Sequence, residues 1–351
     1  MTTNFLLYGA NGYTGNLIAR LAVERGLKPI LAGRDRDKIN QLSSELELEQ
    51  RVFALDDTAA LEAALQDCVA VLHCAGPFAR TSKAMADACL RTGTHYLDIT
   101  GEVLVFETLA ARSREAQAAG VMLLPGVGFD VVPSDCLAAH LKRRLPSATT
   151  LTLAIYGLGR ISHGTATTMI ENVNRGGLVR QGGKLTPVPT AWKTRPVDFG
   201  RGPIRATMIP WGDVSTAFHS TGIPNIEVYA ALPQSTRWMM KLSRPLGSLL
   251  SSKPVQRFLK KRIKAQPPGP SDAERARGKS FVWGEVTDEA GASKQSRLRG
   301  PEPYTLTALT ALAIIRKVLD GEAPVGFQTP SRAYGADLIL EIEGTTREDL
   351  N

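Results

Sequence analysis

The chain has 351 residues, long enough for about two domains with a substantial core. A hydrophobic content of 43% and a charged content of 22% are those of a globular protein and exclude a low-complexity or disordered chain. The net charge of +8 is local: nine of the 42 lysines and arginines lie between Arg237 and Lys264, where there is no acid, so a nucleic-acid-binding surface is not expected.

The first predicted element is the apolar run Phe5–Tyr8, which breaks into Gly9-Ala10-Asn11-Gly12-Tyr13-Thr14-Gly15. A helical pattern follows, with Leu17, Ile18, Leu21 and Ala22 on one face. Strand, glycine turn and helix in that order is the context of a dinucleotide site. Gly9 permits the tight turn, Gly12 lets backbone approach a pyrophosphate, and Gly15 lets the helix lie close on the strand. The first N–H groups of the helix then face the phosphates. A second strand, Pro29–Ala32, ends at Gly33-Arg34, where an acid would hold the ribose hydroxyl of NAD and an arginine suits the extra phosphate of NADP. Arg34 therefore favours NADP.

Lys38–Leu48 reads as a helix and Arg51–Leu55 as a third strand. Asp56 then either touches the adenine edge or caps a helix starting at Ala59. Val69–Cys74 is a fourth strand running into Ala75, Gly76, Pro77 and Phe78, a loop placed to pass the nicotinamide half of the cofactor or to form a simple tight turn. A helix over Ser82–Arg91, a strand over Thr94–Ile99, a helix over Glu107–Ala119 and a strand over Val121–Pro125 continue the alternation. Ser134 or Asp135 is expected to start a helix reaching Leu145.

After Pro146 the pattern changes. Thr149–Ile155, Ile226–Leu232 and Phe281–Val286 read as strands, Thr165–Val173 as a helix, and Trp211–Ser220 as either pocket lining or a buried turn. The long apolar segment Tyr304–Leu319, ended by Gly321, is expected to pack back on the first domain. The fold class is α/β: an N-terminal doubly wound parallel sheet with an inserted α+β domain whose sheet is mostly antiparallel. The domains fall at 1–132 for the cofactor, 133–300 for substrate or dimerisation, and 301–351 for a helix and tail returning to the first.

Four cysteines, Cys68, Cys74, Cys89 and Cys136, lack metal-ligand spacing, so reduced thiols and no metal site are expected. No basic leader precedes the first strand, and no apolar run approaches ~18 residues, so a cytoplasmic protein is expected.

Several ordered segments together resemble the saccharopine dehydrogenase-like oxidoreductases: Tyr8–Gly15 with Ala32-Gly33-Arg34, His73–Phe78, His95–Glu102, Gly126–Asp135 and, more loosely, Gln328–Gly335. The resemblance implies a Rossmann NADP-binding domain built from both chain ends. It also implies reversible hydride transfer to a C=C or C=N bond. The family includes saccharopine-type amino-acid reductases, trans-acting enoyl reductases of lipid synthesis and lipid-associated members. A multi-carboxylate substrate would want fixed arginines, but Arg160, Arg175, Arg180, Arg201 and Arg205 show no convergent spacing. An enoyl-reductase-like role on an acyl substrate therefore leads. An amino-acid or imine reductase and a non-catalytic NADP-binding lipid-associated protein are the alternatives. The short-chain dehydrogenases, the rival fold, require Tyr-x-x-x-Lys, and no tyrosine here has a lysine four residues on.

Candidates for a catalytic proton are Asp98 and Asp130, which follow strand ends, and His163 in the inserted domain. Each has a structural alternative: Asp98 bonding backbone, Asp130 capping a turn, His163 sitting in a loop. The basic segment 237–264 places Trp238, Leu242, Leu246, Leu249, Leu250, Phe258, Leu259 and Ile263 near helical spacing, broken by Pro245 and Pro254. It either meets an anionic membrane or acyl substrate peripherally or covers a core. A homodimer is the expected assembly.

Overall fold

The computed structural model describes residues 4–157, 159–171, 176–240 and 252–351. These divide into two compact units, Met1–Val132 with Tyr304–Ala333 and Pro133–Pro303 with Tyr334–Asn351.

The first unit is built on a seven-stranded parallel sheet. Its strands are β1 (Phe5–Tyr8), β2 (Ile30–Gly33), β3 (Gln50–Val52), β4 (Ala70–His73), β5 (His95–Asp98), β6 (Met122–Leu124) and a late strand, Gly326–Phe327. The order runs Gly326–Phe327, β6, β5, β4, β1, β2, β3, every pair parallel. β1, β2 and β4 are buried along their whole length. Helices on both faces explain why these strands read as continuous apolar runs rather than alternating ones. The chain moves outward one way through β2 and β3, then returns past β1 to β4 and continues the other way. That reversal opens a crevice beyond the carboxyl ends of β1 and β4.

Helix α1 (Tyr13–Glu24) buries Gly15, Ile18, Ala19 and Ala22 against this sheet. Three local expectations are corrected. Asp57, not Asp56, caps helix Thr58–Leu65, accepting from Ala60 N at 3.0 Å, and Asp56 is left exposed. The helix expected from Ser82 starts at Phe78 because Glu102, from a distant loop, accepts from Phe78 N at 2.7 Å and Ala79 N at 3.2 Å. The helix expected over Glu107–Ala119 is two, Val103–Ala110 and Ser113–Ala118. At the break, Arg112 pairs with Asp87 at 2.6 Å and Glu115 at 2.8 Å.

Helix Pro303–Leu319 closes the first unit from the other chain end. Thr310 Oγ1 donates to Val127 O at 2.8 Å, and Phe129 N donates to Thr307 Oγ1 at 3.0 Å. These bonds pin the loop after β6.

The second unit carries a nine-stranded sheet. Its main path is Thr194–Asp198, Pro203–Met208, Asn225–Ala230, Thr150–Tyr156, Lys279–Thr287, Ser293–Pro301 and Thr346–Asp349, with the hairpin Gly177–Gln181 and Lys184–Val188 off that path. All neighbours are antiparallel except Asn225–Ala230 beside Thr150–Tyr156. Ala154, Val179, Phe199, Met208, Tyr229 and Trp283 form a core on it. The tail expected to return whole to the first domain divides: residues 334–351 join the second unit, because Thr346–Asp349 adds a strand beside Ser296–Arg299. Trp211–Ser220 is not a turn. Asp213–Thr221 is a helix with Asp213–Ala217 buried.

Helix Val132–Arg144 starts before the expected caps. Ser134 and Asp135 lie inside it, where Ser134 Oγ donates to Asp213 Oδ2 at 2.8 Å and Ser220 Oγ donates to Asp135. Of the basic segment, Leu242, Pro245, Leu246, Leu249 and Leu250 lie outside the described residues, as do Arg175 and the end of the helix expected at Val173. No helix among the described residues is long and apolar enough to cross a membrane. The four cysteines are free thiols.

Candidate functional site

The turn after β1 folds back on its neighbours. Gly9 N donates to Ala32 O at 2.7 Å, and Gly12 N to Gly9 O at 3.0 Å. Gly9 has φ +84, and a Cβ there would lie 2.9 Å from Ala75 N, so the loops after β1 and β4 touch at the crevice. A Cβ at Gly15 would fall 2.3 Å from Gly9 O, which makes glycine the condition for α1 to sit this close to the turn. Gly12 is the N-cap of α1, extended and with no side chain bonding the first turn, and no acid lies in that turn. The first N–H groups of α1 are thus directed at a site that no side chain of the cap fills, an arrangement suited to a phosphate. Around it, Asn11 and Thr14 are half-buried, and Tyr13 meets Tyr304 edge-on with ring centroids 5.1 Å apart.

Arg34 stands exposed one strand over, at the end of β2. The neighbouring acid, Asp35, is committed elsewhere: it pairs with Lys38 at 2.9 Å and caps helix Arg36–Leu46. Hydrogen bonds from Lys38 hold that carboxyl below its ordinary value. Among the described residues Arg34 has no ion pair, which leaves its guanidinium available to an anion. Tyr8 locates it further. The Tyr8 hydroxyl donates to Phe53 O at 3.3 Å and is pushed up to about 12 by burial, with Arg34 acting downward and Asp56 upward. Arg34 and Asp56 therefore both lie in electrostatic reach of one buried phenol, at the ends of β2 and β3.

In the loop after β4, Gly76 is exposed, Ala75 and Pro77 are half-buried, and Phe78 is buried against His73 with ring centroids 5.3 Å apart. His73 is fully buried, and desolvation pushes its ring down to about 3, so it is neutral. Thr81 Oγ1 donates to Ala75 O at 2.8 Å, and His73 Nε2 lies 2.9 Å from the same hydroxyl. A hydroxyl that gives its proton to a carbonyl can only accept from the ring, so Nε2 carries the hydrogen. The carboxylate of Glu102 already occupies the helix start at Phe78, which removes that terminus as a second phosphate site. Thr81 and Glu102 were not foreseen as site residues, since their partners lie several to many residues away.

The proton candidates separate. Asp98 is fully buried and its carboxylate accepts from Tyr96 Oη at 2.6 Å, Thr100 N at 2.9 Å and Gly126 N at 2.9 Å. Burial pushes it up to about 6 against these bonds. It ties the ends of β5 and β6 together. Asp130 is also pushed up to about 6, by desolvation, but no hydrogen bond reaches its carboxylate among the described residues. A Cβ at Gly101 would meet Asp130 Oδ2 at 2.6 Å, which places the carboxyl against the loop after β5 on the crevice edge of the sheet. His163 belongs to the second unit, where its Nε2 lies 2.8 Å from Gln266 O.

Of the arginines weighed for carboxylates, Arg180 is buried, donating to Val214 O at 2.6 Å and Gly183 O at 2.8 Å, and lies over Phe218. Arg160 pairs with Glu274 at 3.4 Å, Arg201 covers Phe281, and Arg205 is exposed on a strand. Arg180, Arg160 and Arg201 serve separate structural contacts.

Comparison with known proteins bears on the family and the fold. Residues 5–124 match the family described as the saccharopine dehydrogenase NADP binding domain. A trans-acting enoyl reductase of Mycobacterium leprae is 33% identical over 150 residues, 40% of this chain and 36% of the relative. A saccharopine dehydrogenase-like oxidoreductase of Mus musculus is 25% identical over 167 residues, 42% of this chain and 39% of the relative. The matched stretch thus spans less than two-fifths of the length of either curated relative. An apo saccharopine dehydrogenase (L-Glu forming) of Saccharomyces cerevisiae shares the fold, with a TM-score of 0.66 over 99% of this chain and 100% of that one, at 12% identity.

Proposed function

From the match of residues 5–124 to an NADP-binding domain, we propose that this chain binds NADP(H) and catalyses reversible hydride transfer to a C=C or C=N bond. The observation that carries the reading is the glycine turn leading into an uncapped helix, with an unpaired arginine at the end of the adjacent strand. Gly9, Gly12 and Gly15 hold the pyrophosphate at the start of α1, with Asn11, Tyr13 and Thr14 walling it. Arg34 takes the 2′-phosphate and Asp56 borders the adenosine end. Ala75, Gly76, Pro77 and Phe78 support the nicotinamide end, and His73 through Thr81 orients the Ala75 carbonyl. When bound, the nicotinamide supplies or accepts the hydride. Asp130 holds a proton on its carboxyl oxygen at the crevice edge, where its raised pKa suits exchange near neutral pH.

An enoyl group on an acyl substrate fits better than a multi-carboxylate amino acid, because Arg180, Arg160 and Arg201 of the second unit are spent on carbonyls, an ion pair and a ring. Titration calorimetry tests the first half: NADPH binds more tightly than NADH. Absence of heat with either, in protein shown folded by circular dichroism, removes the assignment. Loss of NADPH absorbance with enoyl thioesters but not with imines supports the acyl reading. The reverse pattern replaces it with an imine reductase, and binding without turnover on either replaces it with a non-catalytic NADP-binding protein.

A further inference from the structure

Helices His163–Glu171 and Lys253–Lys264 of the second unit are tied together, Lys260 Nζ bonding Glu171 Oε1 at 2.5 Å. No residue of the first is buried. On the second, Val255, Leu259 and Ile263 form a half-buried stripe four residues apart, while Phe258 stands out in solvent. Among the described residues the four most exposed large apolar side chains are Met169 at 58%, Phe258 at 59%, Trp238 at 61% and Met239 at 65%. All four belong to these two helices or to the helical residues 234–240.

Beyond the Lys260–Glu171 pair, the same elements carry more cations than acids. Helix Lys253–Lys264 contains no Asp or Glu. Arg257, Lys261 and Lys264 are exposed and have no ion pair among the described residues, and Arg262 lies over the Phe258 ring at 5.7 Å. A surface that leaves Phe, Trp and Met in water beside unpaired cations is costly unless something covers it.

We propose that this face is a peripheral docking surface for an anionic lipid bilayer. Phe258 and Met169 would enter the boundary between headgroups and acyl chains, while Arg257, Lys261 and Lys264 reach lipid phosphates. Charge complementarity selects the occupant. A second copy of the same face would set like charges against each other. A nucleic-acid duplex would answer the cations and leave the large apolar side chains in water. The inference is independent of the cofactor reading and uses no residue of the crevice.

The test is co-sedimentation of the full chain with vesicles of equal parts phosphatidylcholine and phosphatidylglycerol, against phosphatidylcholine alone. The parent protein pellets with the first, not the second, and salt releases it. Arg257→Glu with Lys261→Glu and Lys264→Glu loses at least about fivefold in partitioning per position, about a hundredfold in all. Phe258→Ser weakens binding severalfold with charge unchanged, and both variants keep the parent's melting temperature because the positions are solvent-facing. The proposal is overturned by no sedimentation of the parent, by equal sedimentation with neutral vesicles, by parent-like binding of the triple variant, or by duplex DNA displacing the protein from vesicles at equal phosphate.

Discussion

Arg34 is the residue on which the proposed preference for NADP(H) turns, and its isolation is what makes it informative. Asp35 is held by Lys38, so removing the guanidinium breaks no ion pair in the protein. Arg34→Ala should therefore leave thermal stability unchanged and cost NADPH affinity about tenfold to a hundredfold, the range of a charge-assisted bond to phosphate. NADH affinity should barely move. Equal losses for both cofactors, read by calorimetry, would take the 2′-phosphate away from this residue. Asp130 makes the opposite kind of prediction. Its carboxyl titrates at about 6 in the folded chain against an ordinary 3.8, so between those values the folded state holds the proton more tightly than the unfolded one. The contribution of this group to stability then falls as pH rises through that window and levels off above it. Asp130→Asn should match the parent below about pH 4 and exceed it by roughly 1–2 kcal/mol above about pH 6, a figure reduced for the partial solvent access of the residue. Turnover should fall a hundredfold or more. A variant that is less stable at neutral pH would show the carboxylate to be structural.

Among the elements, helix Phe78–Thr92 shows how far local reading reaches. Its apolar stripe is legible, but its start is not, because the cap is a carboxylate contributed by Glu102 from beyond β5. Glu102→Ala should lower stability by about 1–2 kcal/mol, with Glu102→Gln milder because it keeps the acceptor, as followed by urea denaturation. The same distinction sorts the rest of the chain. β1, the glycine turn, α1 and the end of β2 are contiguous, so spacing alone located Gly9, Gly12, Gly15 and Arg34. Strands Ser293–Pro301 and Thr346–Asp349 went unseen because their residues are polar or charged and neither has an apolar run. Asp56 and Asp57 are adjacent, and only the bond from Ala60 N distinguishes the cap. Asp98 ends β5 and Asp130 lies in the loop after β6, so both sit near strand ends in sequence. What separates them is the three donors that converge on Asp98 from Tyr96, Thr100 and Gly126.

At the scale of the whole molecule, the first unit is discontinuous in the chain. Residues 1–132 supply six strands, and residues 304–333 supply the edge strand and the helix that pins the loop after β6. Phe129 N, buried, has its acceptor in Thr307, and residues 1–132 alone would leave it unmet at a cost of about 1–3 kcal/mol beside the lost apolar contacts. A fragment of residues 1–132 should thus melt well below a fusion joining 132 to 304 through a short glycine-serine linker, with NADPH binding measured only in the fusion. Equal melting and equal binding would show the late segment to be dispensable.

The pairing of Gly326–Phe327 with Met122–Leu123 carries a consequence for synthesis. A ribosome making this protein releases the glycine turn some 300 residues before the edge strand. The emerging N-terminal sheet must wait, one flank uncovered, while the entire second unit is translated. A chaperone that shields strand edges would have its longest engagement there, and stalling before Gly326 would yield nascent chains whose first sheet lacks its edge strand.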